Sequence, residues 1–191
     1  MSFYTSQELD GMGFKYLGDN VKISRKASIY NHKNISIGDH SRIDDFAVLS
    51  AGEGGIYIGR NVHIAIYSSI MGQGKISLDD FSGISSRVSI YSSNDDYSGA
   101  FMTNPTVGDE FTNVSSKPVF LSKHVIVGSG SIVLPGVELG VGVAVGALSL
   151  VTKSYGEFVI ISGSPARKVK ERRRELLNFE ADFLSRFGCN K

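Results

Sequence analysis

An aliphatic residue returns every six positions between Leu121 and Val151, at Leu121, Val127, Val133, Leu139, Val145 and Val151. Four places after each of the first five stands a small residue: Val125, Ser131, Val137, Val143 and Ser149. A helix repeats about every 3.6 residues and a strand every two, so neither alone gives a sixfold pattern. A chain that turns a corner after each short strand does. Each side then sends one aliphatic residue into a narrow prism and sets a small residue at the bend. Three such sides make a coil of 18 residues, the signature of a β-solenoid.

The same pattern runs through the earlier chain. Sides begin at Leu17, Ile23 and Ile29, then at Ile37, Ile58 and Leu78, with coil starts 20 or 21 residues apart. The extra residues fall in the third side, where NHKN, SAGEGG and MGQGK supply Asn and Gly for small corner loops. The bend positions are again small: Val21, Ala27, Ser41, Ala47, Val62, Ser68, Ser82 and Val88.

The register stops after Ile90 and resumes at Leu121. An interruption this long in a compact repeat is functional or disordered. The aromatic residues Tyr91, Tyr97, Phe101, Phe111 and Phe120 predict a packed, functional loop. At the N-terminus, Phe3, Tyr4, Met12, Phe14 and Tyr16 are expected to cover the open coil end. After Ser162-Gly163-Ser164-Pro165, the spacing of Val169, Leu176, Leu177, Phe183, Leu184 and Phe187 predicts a helix with Gly188 as its stop. The whole reads as one domain over 1–191: a cap over 1–16, coils over 17–90, an inserted loop over 91–120, coils over 121–162 and a helix over 163–188.

Net charge is +1, which gives no electrostatic case for nucleic acid. The single cysteine, Cys189, excludes a disulfide framework and suits a reducing cytoplasm. No apolar run reaches membrane-spanning length and the N-terminus lacks a signal-peptide profile, so a cytoplasmic location without membrane insertion is expected.

The hexads IGDHSR, IGRNVH, VGSGSI and VGALSL, the long loop and the segment VTKSYGEFVIISGSPARKVKER resemble the hexapeptide-repeat acyltransferases. The likeness points to their maltose and galactoside O-acetyltransferase branch and its relatives in surface-polysaccharide synthesis, and it covers roughly residues 17–175. The resemblance implies an all-β fold, a left-handed parallel β-helix carrying the inserted loop and the C-terminal helix. It also implies a homotrimer with active sites in the clefts between subunits, and acetyl-CoA as co-substrate along the C-terminal coils. The expected cofactor contacts are Gly128, Ser129, Gly146, Ala147, Thr152 and Lys153, with Arg167 and Lys168 at the phosphates. Coil corners offer backbone N–H and C=O groups to a pantetheine chain, and small residues allow it to approach closely.

Acetyl transfer to a sugar hydroxyl calls for a base within hydrogen-bond reach. The resembled O-acetyltransferases carry a histidine in the loop after the coil that here ends ISSRVSIYSS. This chain has Ser93, Asn94, Asp95, Asp96 and Tyr97 there. The candidates are therefore His63, His124, Asp95 and Asp96; two adjacent carboxylates can raise one pKa. Against these stand an inert surface histidine and a simple turn over NDDYSG. Ser86, Arg87, Asn94 and Tyr97 are the expected acceptor contacts, and a backbone N–H near Ser86 or Gly128 the oxyanion donor.

The leading expectation is an acetyl-CoA-dependent sugar O-acetyltransferase in O-antigen or capsule synthesis. The missing loop histidine favours an alternative, an N-acetyltransferase of a nucleotide-linked amino sugar, because an amine gives up its proton more easily. A further alternative, a metal enzyme of the carbonic anhydrase type, needs three imidazoles converging on one ion. His40, His63 and His124 lie on different coils, so no metal is expected. The long loop and the complete terminal segment argue against a non-catalytic scaffold.

Overall fold

Residues 2–187 are described by the computed structural model. The sixfold pattern becomes three stacks of short parallel strands, in sheets of six, eight and six strands. On the first face Leu17, Ile37, Ile58, Leu78, Leu121 and Leu139 pair in register. On the second, Ile23, Ile43, Ile64, Ile84, Val127 and Val145 do the same and continue to Ile161. Ile29, Leu49, Ile70, Ile90, Val133 and Val151 form the third. Nearly all of these side chains are fully buried, so one column per face fills the prism. The coils wind left-handed, against the usual crossover preference.

The bends are fixed by hydrogen bonds. Buried Ser41, Ser68 and Ser131 donate their hydroxyls to the carbonyls of Gly59 (2.7 Å), Ser85 (2.9 Å) and Gly146 (3.0 Å). Between the first and second faces, His40, Phe81 and His124 hold left-handed backbone with φ of 59°, 60° and 61°. That conformation costs a non-glycine residue about 1–2 kcal/mol. Each corner offsets the cost by donating its N–H to the coil below: His40 to Asp19 (2.8 Å), Phe81 to Arg60 (2.9 Å) and His124 to Asp80 (3.2 Å). His124 is thus a corner residue, although the hexad count from Leu121 sets the small bend position at Val125.

The N-terminal cap contains a short helix, α1 (Ser6–Asp10). Thr5 and Glu8 close a reciprocal capping box at its start, and Leu9 is buried. Tyr4, Met12 and Phe14 pack on the core as expected, while Tyr16 is exposed.

The other end departs from expectation. Residues 163–175 are not helical. Ala166–Glu171 is a strand that turns back at Ser164-Pro165 and pairs antiparallel with Val159–Gly163. The physical reason is the open edge of the second face, whose backbone groups need partners. Charged residues along the returning strand suit its role as the new edge. The helix α2 (Leu176–Phe187) follows and folds back on the solenoid. Gly188 and Cys189 lie outside the described residues.

The inserted loop is shorter than 91–120, since Tyr91 and Val119–Phe120 still belong to coil strands. Its base is a two-residue antiparallel ladder, Ser93–Asn94 against Ser115–Ser116. Tyr97, Phe101 and Phe111 do not pack on their own coil; they are 88%, 47% and 55% exposed.

Candidate active site

His63 and Ile64 form a two-residue strand on the second face. Ile64 fills the prism and His63 points out, with 52% of its side chain exposed. Behind it lies Asp44, one coil earlier and with a side chain 6% exposed. The Asp44 carboxylate accepts from Arg42 Nε at 2.6 Å, and its other oxygen lies 2.9 Å from His63 Nε2. Burial pushes this carboxyl up, but the bonds from His63 and Arg42 outweigh that and hold it below the usual range. An ionised carboxylate only accepts hydrogen bonds. His63 Nε2 therefore carries the hydrogen, which in the neutral imidazole leaves the lone pair on Nδ1.

His63 stands at the edge of a groove of about 360 Å³ with Ala65, Gly83, Ser85, Ser86, Ile126 and Ser129. The groove unites a potential base with three hydroxyls and two apolar side chains. Of the expected residues, it brings together His63, Ser86 and Ser129.

Asn94 and Asp95 are elsewhere. They line a polar pocket of about 660 Å³ at the corner opposite the second face, with Asn31, Asn34, Gln73 and Tyr91. Asp96 is spent on the loop itself, accepting from the backbone and hydroxyl of Ser98 and from Asn113 Nδ2 at 3.1 Å. These bonds hold its carboxyl below the ordinary range, opposite to the raised value expected of a base. Arg87 sits at a left-handed corner (φ 60°) over the Tyr67 ring, 5.2 Å from its centroid. Tyr97 projects from the loop tip. The four expected acceptor contacts thus do not converge within one chain.

His124 holds the terminal helix. Its ring stacks on Phe81 with centroids 5.3 Å apart, and its Nε2 lies 2.7 Å from Glu180 Oε2. Lys123 pairs with the other Glu180 oxygen, and Phe183 meets the edge of Phe81. Only 11% of the His124 side chain is exposed. This geometry ties α2 to the first corner and leaves Nε2 no substrate to face.

The cofactor-side residues fall on the last coils. Gly128 and Gly146 have a packing role: a Cβ on Gly128 would stand 2.6 Å from the Ala147 nitrogen, and one on Gly146 2.7 Å from Ser162 Oγ. Ala147, Thr152 and Lys153 are exposed on the bends that follow. Arg167 and Lys168 sit on the returning strand Ala166–Glu171, where a helix start is expected from sequence. Lys168 pairs with Glu171, and Arg167 Nη1 donates to the Ala166 carbonyl at 3.0 Å. Among the described residues, no group of three or more His, Cys, Asp or Glu is placed to hold a metal ion.

Asp44 is the partner of His63 that the hexad pattern does not single out. Its signal is the coil length: Arg42 pairs with His63, and Ile43 with Ile64, so Asp44 lies diagonally beside the imidazole.

No protein-family model matches the chain. It is 55% identical over 183 residues to the dTDP-4-amino-4,6-dideoxy-D-glucose acyltransferase of Escherichia coli, covering 96% of this chain and 95% of that one. The crystal structure of AntD, an N-acyltransferase from Bacillus cereus in complex with dTDP and 3-hydroxybutyryl-CoA, superposes with a TM-score of 0.93 at 45% identity, covering 98% of both chains. A maltose O-acetyltransferase from Clostridium difficile superposes with a TM-score of 0.58 at 19% identity, over 88% of this chain and 75% of that one, a likeness of fold alone. The full-length likeness is therefore to amino-sugar and N-acyltransferases, and the chain belongs to the hexapeptide-repeat acyltransferases, enzymes built on the left-handed parallel β-helix.

Proposed function

We propose that this acyltransferase moves an acyl group from acyl-CoA to the amino group of a nucleotide-linked amino sugar, of the dTDP-4-amino-4,6-dideoxyglucose type. The observation that carries the reading is the 55% identity to the E. coli enzyme over 96% of the chain. It replaces hydroxyl acylation as the leading reading. The loop chemistry agrees, because a loop without histidine suits an amine, which gives up its proton more easily than a hydroxyl. Acetyl-CoA is the simplest donor.

In this reading the sugar nitrogen, which has given its ammonium proton to solvent, attacks the thioester carbonyl carbon as a neutral amine and passes one N–H proton to His63 Nδ1. The C–N bond forms, the tetrahedral intermediate breaks its C–S bond, and the CoA sulfur takes the proton from His63. The amine and thioester become an amide and a thiol. Asp44 holds the imidazole in the required tautomer throughout. Ser86 and Ser129, which share the groove with His63, supply the donors for the oxyanion, since the Gly128 N–H expected from sequence is already bonded to the Val145 carbonyl at 2.8 Å. The CoA chain follows Ser129, Gly146, Ala147, Thr152 and Lys153, with Arg167 and Lys168 at its phosphates.

The groove and the loop pocket lie on opposite sides of one prism, which supports a homotrimer in which one chain's loop covers its neighbour's groove. A cytoplasmic role in surface-polysaccharide synthesis fits an activated amino sugar as acceptor. Thiol release from acetyl-CoA with dTDP-4-amino-4,6-dideoxyglucose, against maltose and galactosides, tests the assignment. Release with the amino sugar and an amide product by mass spectrometry are expected. Turnover confined to the hydroxyl sugars would overturn it.

A further inference from the structure

The outward positions of the second face read Lys22, Arg42, His63, Gly83, Ile126, Ala144 and Ile160 along the stack. Gly83 alone lacks a side chain. Glycines that follow the first-face strands have a packing reason: a Cβ on Gly59 would stand 2.6 Å from Asp80 Oδ1, and one on Gly38 2.7 Å from the Gly59 carbonyl carbon. At Gly83 the nearest atom is Ile126 Cγ1 at 3.9 Å, ordinary contact distance. Its backbone is ordinary strand, paired in register on both sides, and needs no left-handed φ. Glycine weakens a strand interior, and in the absence of a bulge it marks close approach by something else.

The gap opens beside His63 and is walled by Ile126 and Ala65, with Ser85, Ser86 and Ser129 as hydroxyls at its margin. An apolar wall next to the proposed base suits the acyl tail of the thioester more than a charged nucleotide or sugar. We infer that Gly83 sets the length of acyl chain the enzyme transfers: the missing side chain is the space that a chain longer than acetyl occupies. This inference rests on the acyl transfer proposed above and adds a residue that selects the donor.

The test is the thioester profile of the full-length chain and its Gly83→Ala and Gly83→Val variants, with dTDP-4-amino-4,6-dideoxyglucose as acceptor. Donors are acetyl-, butyryl- and 3-hydroxybutyryl-CoA. In Gly83→Val the kcat/KM ratio of butyryl- to acetyl-CoA should fall at least about tenfold, the scale of one or two methylenes in an apolar pocket. The fall should be smaller in Gly83→Ala. Valine suits a strand, and the alanine variant gives the same readout if valine disturbs folding. Equal loss for all three donors would overturn the inference, as would a changed molecular mass in light scattering, which would assign the gap to a neighbouring chain. If the wild type releases no CoA from any donor, the functional reading itself falls, a different result from turnover with an unchanged profile.

Discussion

His63 Nε2 and Asp44 Oδ2 stand 2.9 Å apart across neighbouring coils, the imidazole at the surface and the carboxylate sealed beneath it. In the reaction proposed above, this pair acts as a base whose tautomer is set by the carboxylate beneath it. His63→Ala should lower kcat by about 10²–10⁴. Asp44→Asn should lower kcat less and leave KM for the thioester nearly constant, because it disturbs orientation rather than binding. Steady-state kinetics with both substrates varied separates the two effects. Full turnover in His63→Ala would remove it from the chemistry and leave proton transfer to the substrates or to Asp95.

The sixfold spacing carries the three faces and their register because one prism position per side tolerates only an aliphatic residue. Val127 and Val145 are buried in that column. An aspartate at either place would put an unpaired charge among aliphatic side chains, at a cost of several kcal/mol. Val127→Asp and Val145→Asp should abolish soluble expression or the β-type circular dichroism. Soluble variants with unchanged spectra would contradict this register.

The same spacing says little about the ends and the site. ARKVKE follows a turn in a basic run that also fits a helix start, and only the unpaired edge of Val159–Gly163 makes it a strand. The short helix that Thr5 and Glu8 cap is not expected from the sixfold spacing, because the pattern before Leu17 offers no core face to support it. His63 is visible as an outward residue. Its partner is not, because Asp44 acquires its place from a coil of 21 residues between Ile37 and Ile58. His124 carries the opposite lesson: an apparently outward histidine is covered by a helix that returns from the far end of the chain.

Glu180 makes that covering dependent on pH. Burial raises its carboxyl pKa, and bonds from His124 and Lys123 outweigh this and lower it overall. A lowered carboxyl stabilises the fold above its unfolded value, about 4.3, and the contribution fades as pH falls below that toward the folded value. The protection of α2 (Leu176–Phe187) amides, measured as exchange relative to the intrinsic rate at each pH, should therefore fall below about pH 4.3. Glu180→Gln should show the lower protection at neutral pH already. Equal protection in variant and wild type would mean that Phe183 on Phe81 suffices to hold the helix.

Arg167 and Lys168 are exposed on the edge strand beside the last coil. Their joint replacement by glutamate should raise KM for acetyl-CoA more than for its 3′-dephospho analogue. An equal rise for both thioesters would move the 3′-phosphate elsewhere and leave Thr152 and Lys153 as its candidate contacts.

The last prediction follows from the split between groove and loop pocket. Tyr97, Phe101 and Phe111 are exposed in the single chain, and Asp95 lines a pocket on the side opposite His63. If a trimer joins them, each site takes His63 from one copy and the loop from the next. His63→Ala and Asp95→Ala proteins are then each defective, but in mixed trimers some sites receive an intact groove and an intact loop. Random assembly from an equal mixture gives about one intact site in four. Co-expression of the two variants should thus restore about a quarter of wild-type turnover, while mixing the preassembled proteins should restore little. Light scattering should give the mass of three chains for each sample. No recovery on co-expression of folded trimers would mean that groove and loop do not share a site across the boundary.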